Sequence, residues 1–196
     1  LAEKTEVSVE PAPAASTTSK QVGVKSWSVI ARFLHEGTGI VLLQKVWDQQ
    51  VREFVLVPWY ADQDPDRLKP DVWSAWRHEL KAPLGGHAYV RDVARVIDVV
   101  PIQSKGALDI VDPEVARTVA EAGRLYEMGK PGLKALILRV YHLPRSYKYY
   151  NVASLAEHGD VVPVPFEVGL DHLTPSVEAG DFERRRSRIL KTLGRA

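Results

Sequence analysis

The stretch GLKALILRVYHLP, residues 132–144, limits most strongly what this chain can fold into. It is a largely apolar run, interrupted by Lys134, Arg139 and His142 and closed by a proline, and it reads as a buried strand. A buried strand needs partners on its edges and cover on its faces, so the rest of the chain has to supply a sheet and packing helices. GIVLLQK (39–45) is a second buried strand. EFVLVPWY (53–60) is a third, with Pro58 stopping its ladder. These two lie at hairpin distance and are expected to pair antiparallel. GHAYVRDVARVIDVVPI (86–102) reads as a long strand, or as two strands with a bulge, with Val93, Val96 and Val99 separated by charges. VVPVPFEV (161–168), broken by Pro163 and Pro165, suits a sheet edge.

Helical spacing marks four further segments. In SWSVIARFLHEG (26–37), Trp27, Ile30, Ala31 and Leu34 fit a helix ending at Gly37, although the β-branched content also suits a strand. In LKPDVWSAWRHELK (68–81), Pro70 opens the helix, and Trp73, Trp76 and Leu80 share a face. Residues 113–127 read as an amphipathic helix opened by Pro113 and leaving at Gly129, with Val115, Val119 and Leu125 inside. The end, VEAGDFERRRSRILKTLG, is a helix with Phe182, Ile189, Leu190 and Leu193 on its apolar side. The expected class is α+β, a single domain over 21–196. It has a mixed or antiparallel sheet of about five strands with flanking helices, and a small PUA-like barrel element is one way to arrange them.

Composition narrows function by exclusion. The absence of cysteine excludes disulfides, thiolate metal sites and cysteine nucleophiles, and suits a reducing, cytoplasmic compartment. No apolar run approaches the ~18 residues of a membrane span, so no membrane partner is expected. Residues 1–20 are rich in Ala, Pro, Ser and Thr, lack the apolar core of a signal peptide, and read as a disordered tail. A net charge of +1 does not mark a chain built to coat nucleic acid, and leaves room for a local basic patch.

Several segments in order match one known pattern. GVKSWSVIARFLHEGTGIVLLQK and FVLVPWYADQDPDRLKP place Trp27, Lys45, Pro58, Tyr60, Gln63, Leu68, Lys69 and Pro70 at its positions. ARVIDVVPI, KPGLKALILRVYHLP (with Lys130, Pro131, Leu133, Arg139, Tyr141 and Pro144) and DFERRRSRIL continue it. From about residue 22 to 193 the chain resembles the domain of unknown function 1802 family, an uncharacterised prokaryotic family. The chain departs from the family pattern at VWDQQVRE, at Ala61-Asp62 and at KYYNVASLAEHGD. Some relatives are joined to restriction-type endonuclease domains. The resemblance therefore implies a setting in DNA restriction or defence, and it implies a ligand set of Lys45, Tyr60, Gln63, Lys69, Arg139 and Tyr141 near strand ends. Such a set without a compulsory carboxylate suits an anion or nucleotide. The competing reading of Arg139 is a strand residue paired with Asp98 or Asp92.

Three further groups of residues carry candidate chemistry. Asp71, Glu79 and Lys81 spell a metal-dependent nuclease string. Two acids would hold Mg²⁺ and the lysine would activate water, although the helical spacing between them does not suit that site. The histidines (His35, His78, His87, His142, His158 and His172) contain no i, i+4 pair and no HExxH, so no metal is expected, and only His78 and His87 flank a common turn. Cations and tyrosines interleave in RSYKYY, where Arg145, Tyr147, Lys148 and Tyr149 suit phosphate and base contacts. Residues 181–196 carry six cationic and two acidic side chains, including Arg184, Arg185 and Arg188, a stretch able to meet phosphate backbones. The expected function is an accessory nucleic-acid-associated or nucleotide-binding domain without a resident cofactor. The alternatives are a Mg²⁺-dependent nuclease and a partner-binding subunit.

Overall fold

The computed structural model describes residues 22–83, 86–128, 132–149, 156, 159–166, 168–170 and 172–194. The stretch read as a tail (1–20), Gly129, Lys130, Pro131, Tyr150 and His158 lie outside the described residues. In chain order the elements are β1 (Val22–Trp27), α1 (Ser28–His35), β2 (Val41–Gln44), β3 (Glu53–Trp59), α2 (Pro70–Trp76), β4 (Ala88–Pro101), α3 (Gly106–Val111), α4 (Val119–Met128), β5 (Lys134–Tyr149), β6 (Val161–Pro163), β7 (Thr174–Pro175) and α5 (Ala179–Thr192). The strands form one mixed sheet in the order β2-β5-β4-β3-β1-β6, with β7 also on β5. Only β1 and β3 run parallel. The class is α+β, as expected, with more strands than the sequence reading assigned. The sheet is open between β2 and β6, so the barrel element of that reading is not closed.

The long apolar run becomes β5, and alternation along it builds two cores. Leu136, Leu138 and Val140 pack with α1 and α2, through Val29, Ile30, Phe33, Leu34 and Val72. Ala135 and Ile137 pack on the other face with Leu108 and Val111 of α3, Ala122 of α4, and Phe182 and Ile189 of α5. A third apolar cluster, around Val55, Val57, Val90 and Val162, fills the β3–β6 end and is covered by Phe166, Leu170 and Leu173. β4 is the bulged long strand. Between Val96 and Asp98 it gains one residue on β5, so Val96 faces α1 whereas Val100 faces α3.

α1 ends in a Schellman motif. Gly37, at φ 65°, donates to Leu34 O at 3.1 Å, and Thr38 donates to Phe33 O at 3.2 Å. The spacing argument that ended this helix at Gly37 therefore holds. The segment in front of it is a strand, β1, which helical spacing concealed. β1 is seated between β3 and β6, so closely that a Cβ on Gly23 would lie 2.7 Å from Val57 and 2.9 Å from Val162.

Two sequence expectations are corrected. β2 and β3 are not partners: β2 pairs with β5 (Val41↔Ile137), and β3 pairs with β1 and β4. Both are apolar runs buried on both faces, and such runs encode burial without encoding a partner or a register. Pro113 opens a single 3₁₀ turn, Asp112–Glu114, and not a long helix. The chain is extended again at Val115. α4 starts only after Thr118, whose hydroxyl accepts from the Glu121 N–H at 3.2 Å as an N-cap. Val119 consequently lies on the exposed side of the first turn.

That 3₁₀ turn carries the charge that ties the second core together. Glu114 is buried, and its carboxylate accepts from Arg185 Nε at 3.0 and 3.2 Å and from Arg188. Arg185 also donates to the carbonyls of Gly37 and Thr38, both at 2.8 Å, joining α5 to the end of α1. Glu114→Ala leaves the partly buried Arg185 with only Asp181, at 3.6 Å, as counter-charge among the described residues, so it should cost about 2–3 kcal/mol in urea unfolding. The more exposed partner, in Arg188→Ala, should cost no more than about 1 kcal/mol.

Candidate functional site

β1, β2 and β3 end around a common space. The parallel pair β1 and β3 stops in register at Trp27 and Trp59, and β2 stops at Gln44 beside Lys45. Beyond these ends lies a crevice. Here the crevice is a cavity of about 330 Å³ lined by Lys25, Ser26, Trp27, Gln44, Lys45, Trp59, Arg67 and Arg117, with Asp62 and Asp160 also in its wall. That volume falls at the lower end of small-ligand sites.

The cations are held in different ways. Arg117 lies over the Trp27 ring, 4.3 Å from its centroid, and reaches Glu121 at 3.4 Å. Burial lowers its guanidinium to about 10, against the opposing pull of Glu121. Lys25 sits over Trp59 at 4.9 Å, and Arg67 pairs with Asp64 at 2.9 Å. Lys45 has no hydrogen-bond or ion-pair partner among the described residues. The buried hydroxyl of Ser26 likewise has none among them. Asp62 adopts φ 57°, the left-handed region that Asp enters more readily than most residues. Four cations and two carboxylates therefore line the cavity, and two of the cations, Arg67 and Arg117, are also paired with Asp64 and Glu121.

A second concentration of polar groups lies beneath α1. Ser28, Ala31, Arg32 and His35 at helical spacing face Leu56, Pro58 and Tyr60 at strand spacing, with Glu79, Tyr89, Arg91 and Asp92 completing the wall. The enclosed space is only about 20 Å³, room for a single water-sized group. Burial, reinforced by the nearby Glu79 charge, raises the Tyr60 phenol above its ordinary value. At one end, buried Asp92 accepts from Nδ1 of His35 at 2.8 and 3.0 Å and from Nδ1 of His142 at 2.9 Å. These three are the only side chains of the described residues that gather as a metal-ligand set.

The ligand set suggested by the resemblance is dispersed. Lys45 lines the cavity and Tyr60 lines the groove under α1. The Gln63 side chain accepts from the Val29 N–H at 3.3 Å, at the start of α1. Lys69 holds Asp112, 3.3 Å from its carboxylate. Arg139 lies over Phe182 at 5.3 Å and over Tyr141 at 5.9 Å, and its buried Nε has no hydrogen-bond partner among the described residues. Neither aspartate expected for Arg139 is available. Asp98 accepts from Arg186 at 2.6 and 3.0 Å, and Asp92 serves the histidines.

Asp71 lies in the first turn of α2 and Glu79 in the 3₁₀ turn that follows, so the nuclease string is not on strands. Glu79 faces Arg91 at 3.7 Å and Arg32 at 4.0 Å, while Lys81 is exposed. Arg145 and Lys148 are exposed. Tyr147 stacks on Phe166 at 4.7 Å as part of the apolar cover, and the backbone of Tyr149 pairs with Ala88. On α5, Arg184 points outward and pairs with Asp181, whereas Arg185 and Arg188 turn to Glu114. His35 and His142, which the sequence reading did not pair, meet with their rings 4.4 Å apart.

Sequence reasoning missed Lys25, Ser26 and Arg117, because it did not place β1 and had Arg117 inside a helix. It considered each of His35 and His142 alone, and only the register Asp92↔His142 joins them.

The network behind the cavity is testable by acid. Burial alone would raise the Glu121 carboxyl, but the Arg124 hydrogen bond and the Arg117 charge outweigh it and hold the group below its ordinary 4.5. A depressed carboxylate adds stability above its unfolded value, and that contribution disappears as pH falls through the folded one. Between neutral pH and about pH 3, the urea midpoint should therefore fall further in the wild type than in Glu121→Gln.

No curated protein matches the chain. The family model described as Domain of unknown function (DUF1802) matches residues 23–188. That span runs from β1 into α5, and takes in both the cavity at the strand ends and the groove beneath α1. The expectation drawn from the strand motifs is therefore met, and the chain belongs to the DUF1802 family.

Proposed function

We propose that this domain is a non-catalytic binding module for a phosphate-bearing ligand of the nucleotide class, held in the cavity at the ends of β1, β2 and β3. The observation that carries the reading is the cationic wall of Lys25, Lys45, Arg67 and Arg117, in which Lys45 has no partner among the described residues. Phosphate oxygens satisfy such donors with charge-assisted hydrogen bonds. Asp62 and Asp160 offer acceptors of the kind that ribose hydroxyls need, and the indoles of Trp27 and Trp59 supply flat apolar wall. Among the described residues that line the cavity no nucleophile is paired with a base, and the chemistry we propose is recognition.

Under this reading the domain is the accessory, nucleic-acid-associated part of a cytoplasmic prokaryotic defence system. It recognises nucleotides or nucleic-acid ends that a restriction-type endonuclease partner acts on. The exposed Arg145, Lys148 and Arg184 then add phosphate contacts outside the cavity.

Tryptophan fluorescence should report saturable binding of ATP, ADP or pyrophosphate that weakens with salt. Lys45→Ala should weaken it by about 10-fold or more, the worth of one charge-assisted hydrogen bond. A panel of single-stranded and duplex DNA and RNA, with and without Mg²⁺, completes the test. Absence of binding to all of these at low salt would overturn the reading. Mg²⁺-dependent cleavage lost in Asp71→Asn would replace it with the nuclease alternative.

A further inference from the structure

We infer that His35, Asp92 and His142 form a binding site for a six-coordinate first-row divalent cation. This site is separate from the anion cavity and does not depend on that reading.

The three side chains come from three elements. His35 is the last residue of α1, Asp92 is on β4, and His142 stands opposite Asp92 on β5. The sheet is deformed at this point. β4 advances from Val90 to Asp92 while β5 advances from His142 to Tyr147, through Pro144, which cannot donate to the ladder. Irregularities of this kind re-aim side chains next to functional sites. Here the irregularity sits directly beside the two strand ligands.

Asp92 has 4% of its surface exposed, and a buried carboxylate needs a counter-charge or full hydrogen bonding. No arginine or lysine pairs with it among the described residues. Both its partners are imidazoles, and both present the same ring atom, Nδ1, to one carboxylate oxygen. The imidazole rings stand 4.4 Å apart and tilted by 55°, converging on that oxygen. One donor atom from each of the three residues lies within 4.8 Å of the others.

The separations fit a particular coordination. Ligand atoms about 2.1 Å from a metal stand about 3 Å apart when at right angles, and about 3.4 Å apart in a tetrahedral site. The two Nδ1 to Oδ1 separations, 2.8 and 2.9 Å, match the right-angled spacing; without a cation they are the lengths of N–H···O hydrogen bonds, whose protons a bound cation displaces. Two imidazoles and one carboxylate on one face of an octahedron leave positions open for water or substrate, the arrangement typical of Fe²⁺ and its neighbours. His35 and Asp92 also line the cavity of about 20 Å³ beneath α1, which has room for one such group.

The test uses the chelator-treated full chain and Co²⁺ as probe. Calorimetry should show one equivalent bound, the weak visible bands of six-coordinate cobalt should appear, and Co²⁺ should raise Tm. His142→Ala and Asp92→Ala should each weaken binding by at least about 100-fold. His142 is partly exposed, so His142→Ala should keep its circular dichroism. His142→Gln, which keeps side-chain bulk without the imidazole, provides a second variant. His78→Ala, a mostly exposed histidine outside the set, should bind as the wild type does. Absence of saturable binding in the folded wild type, or binding unchanged in both folded His142 variants, would overturn the site and leave a hydrogen-bonded cluster. An intense tetrahedral cobalt spectrum would overturn its six-coordinate geometry.

Discussion

β5 has to satisfy backbone hydrogen bonds on both edges while both its faces are buried. It takes β4 along one edge and β2 followed by β7 along the other. Its alternating side chains then demand cover on two sides, from α1 and α2 on one and from α3, α4 and α5 on the other. The points where the ladder slips fall next to the features most open to chemical interpretation. One slip changes which β4 residues face each core. The other sits beside Asp92 and His142.

Buried charge follows the same economy. Glu114, Glu121 and Asp92 are all buried carboxylates, and each meets two basic side chains. Glu114 and Glu121 hold arginines, a strong and geometrically specific pairing that joins the Asp112–Glu114 turn to α5 in the first case and ties the start of α4 together in the second. Asp92 holds two imidazoles, groups that are neutral ligands as readily as they are cations. The cavity at the strand ends differs in the opposite sense, with cations exceeding the carboxylates that line it. The proposed anion site and the proposed cation site thus lie in different parts of one sheet, each at a place where the regular pairing of strands stops or slips.

Charge along the sequence was a poor guide to charge in space. The cationic stretch of α5 looked like a surface for phosphate, yet Arg185, Arg186 and Arg188 are bound to Glu114 and Asp98 from other elements. Conversely, Arg117 stood in an unremarkable segment, and folding places it over Trp27 in the cavity wall. Of the strand-end residues, Lys45 alone reached the cavity. Tyr60 and Gln63 went to the neighbourhood of α1, and Arg139 packed on aromatic rings.

Local physics was legible in the sequence wherever a signal is carried by neighbouring residues. The apolar run of β5, the bulged alternation of β4, the edge character of β6 beside its prolines, the amphipathic α5 and the Gly37 cap of α1 all follow from patterns a few residues long. The motifs that indicated the family are of the same kind, short strings in a fixed order. Strand partnership is not, because β2 and β3 are both apolar throughout and either could have been the other's neighbour. The tertiary structure decided that β2 joins β5 and β3 joins β1, and so placed Trp27, Lys45 and Trp59 around one cavity. It also brought His35, Asp92 and His142 together. Contacts between residues this far apart depend on register and on the packing of helices over a sheet, and a period of two or of 3.6 residues encodes neither.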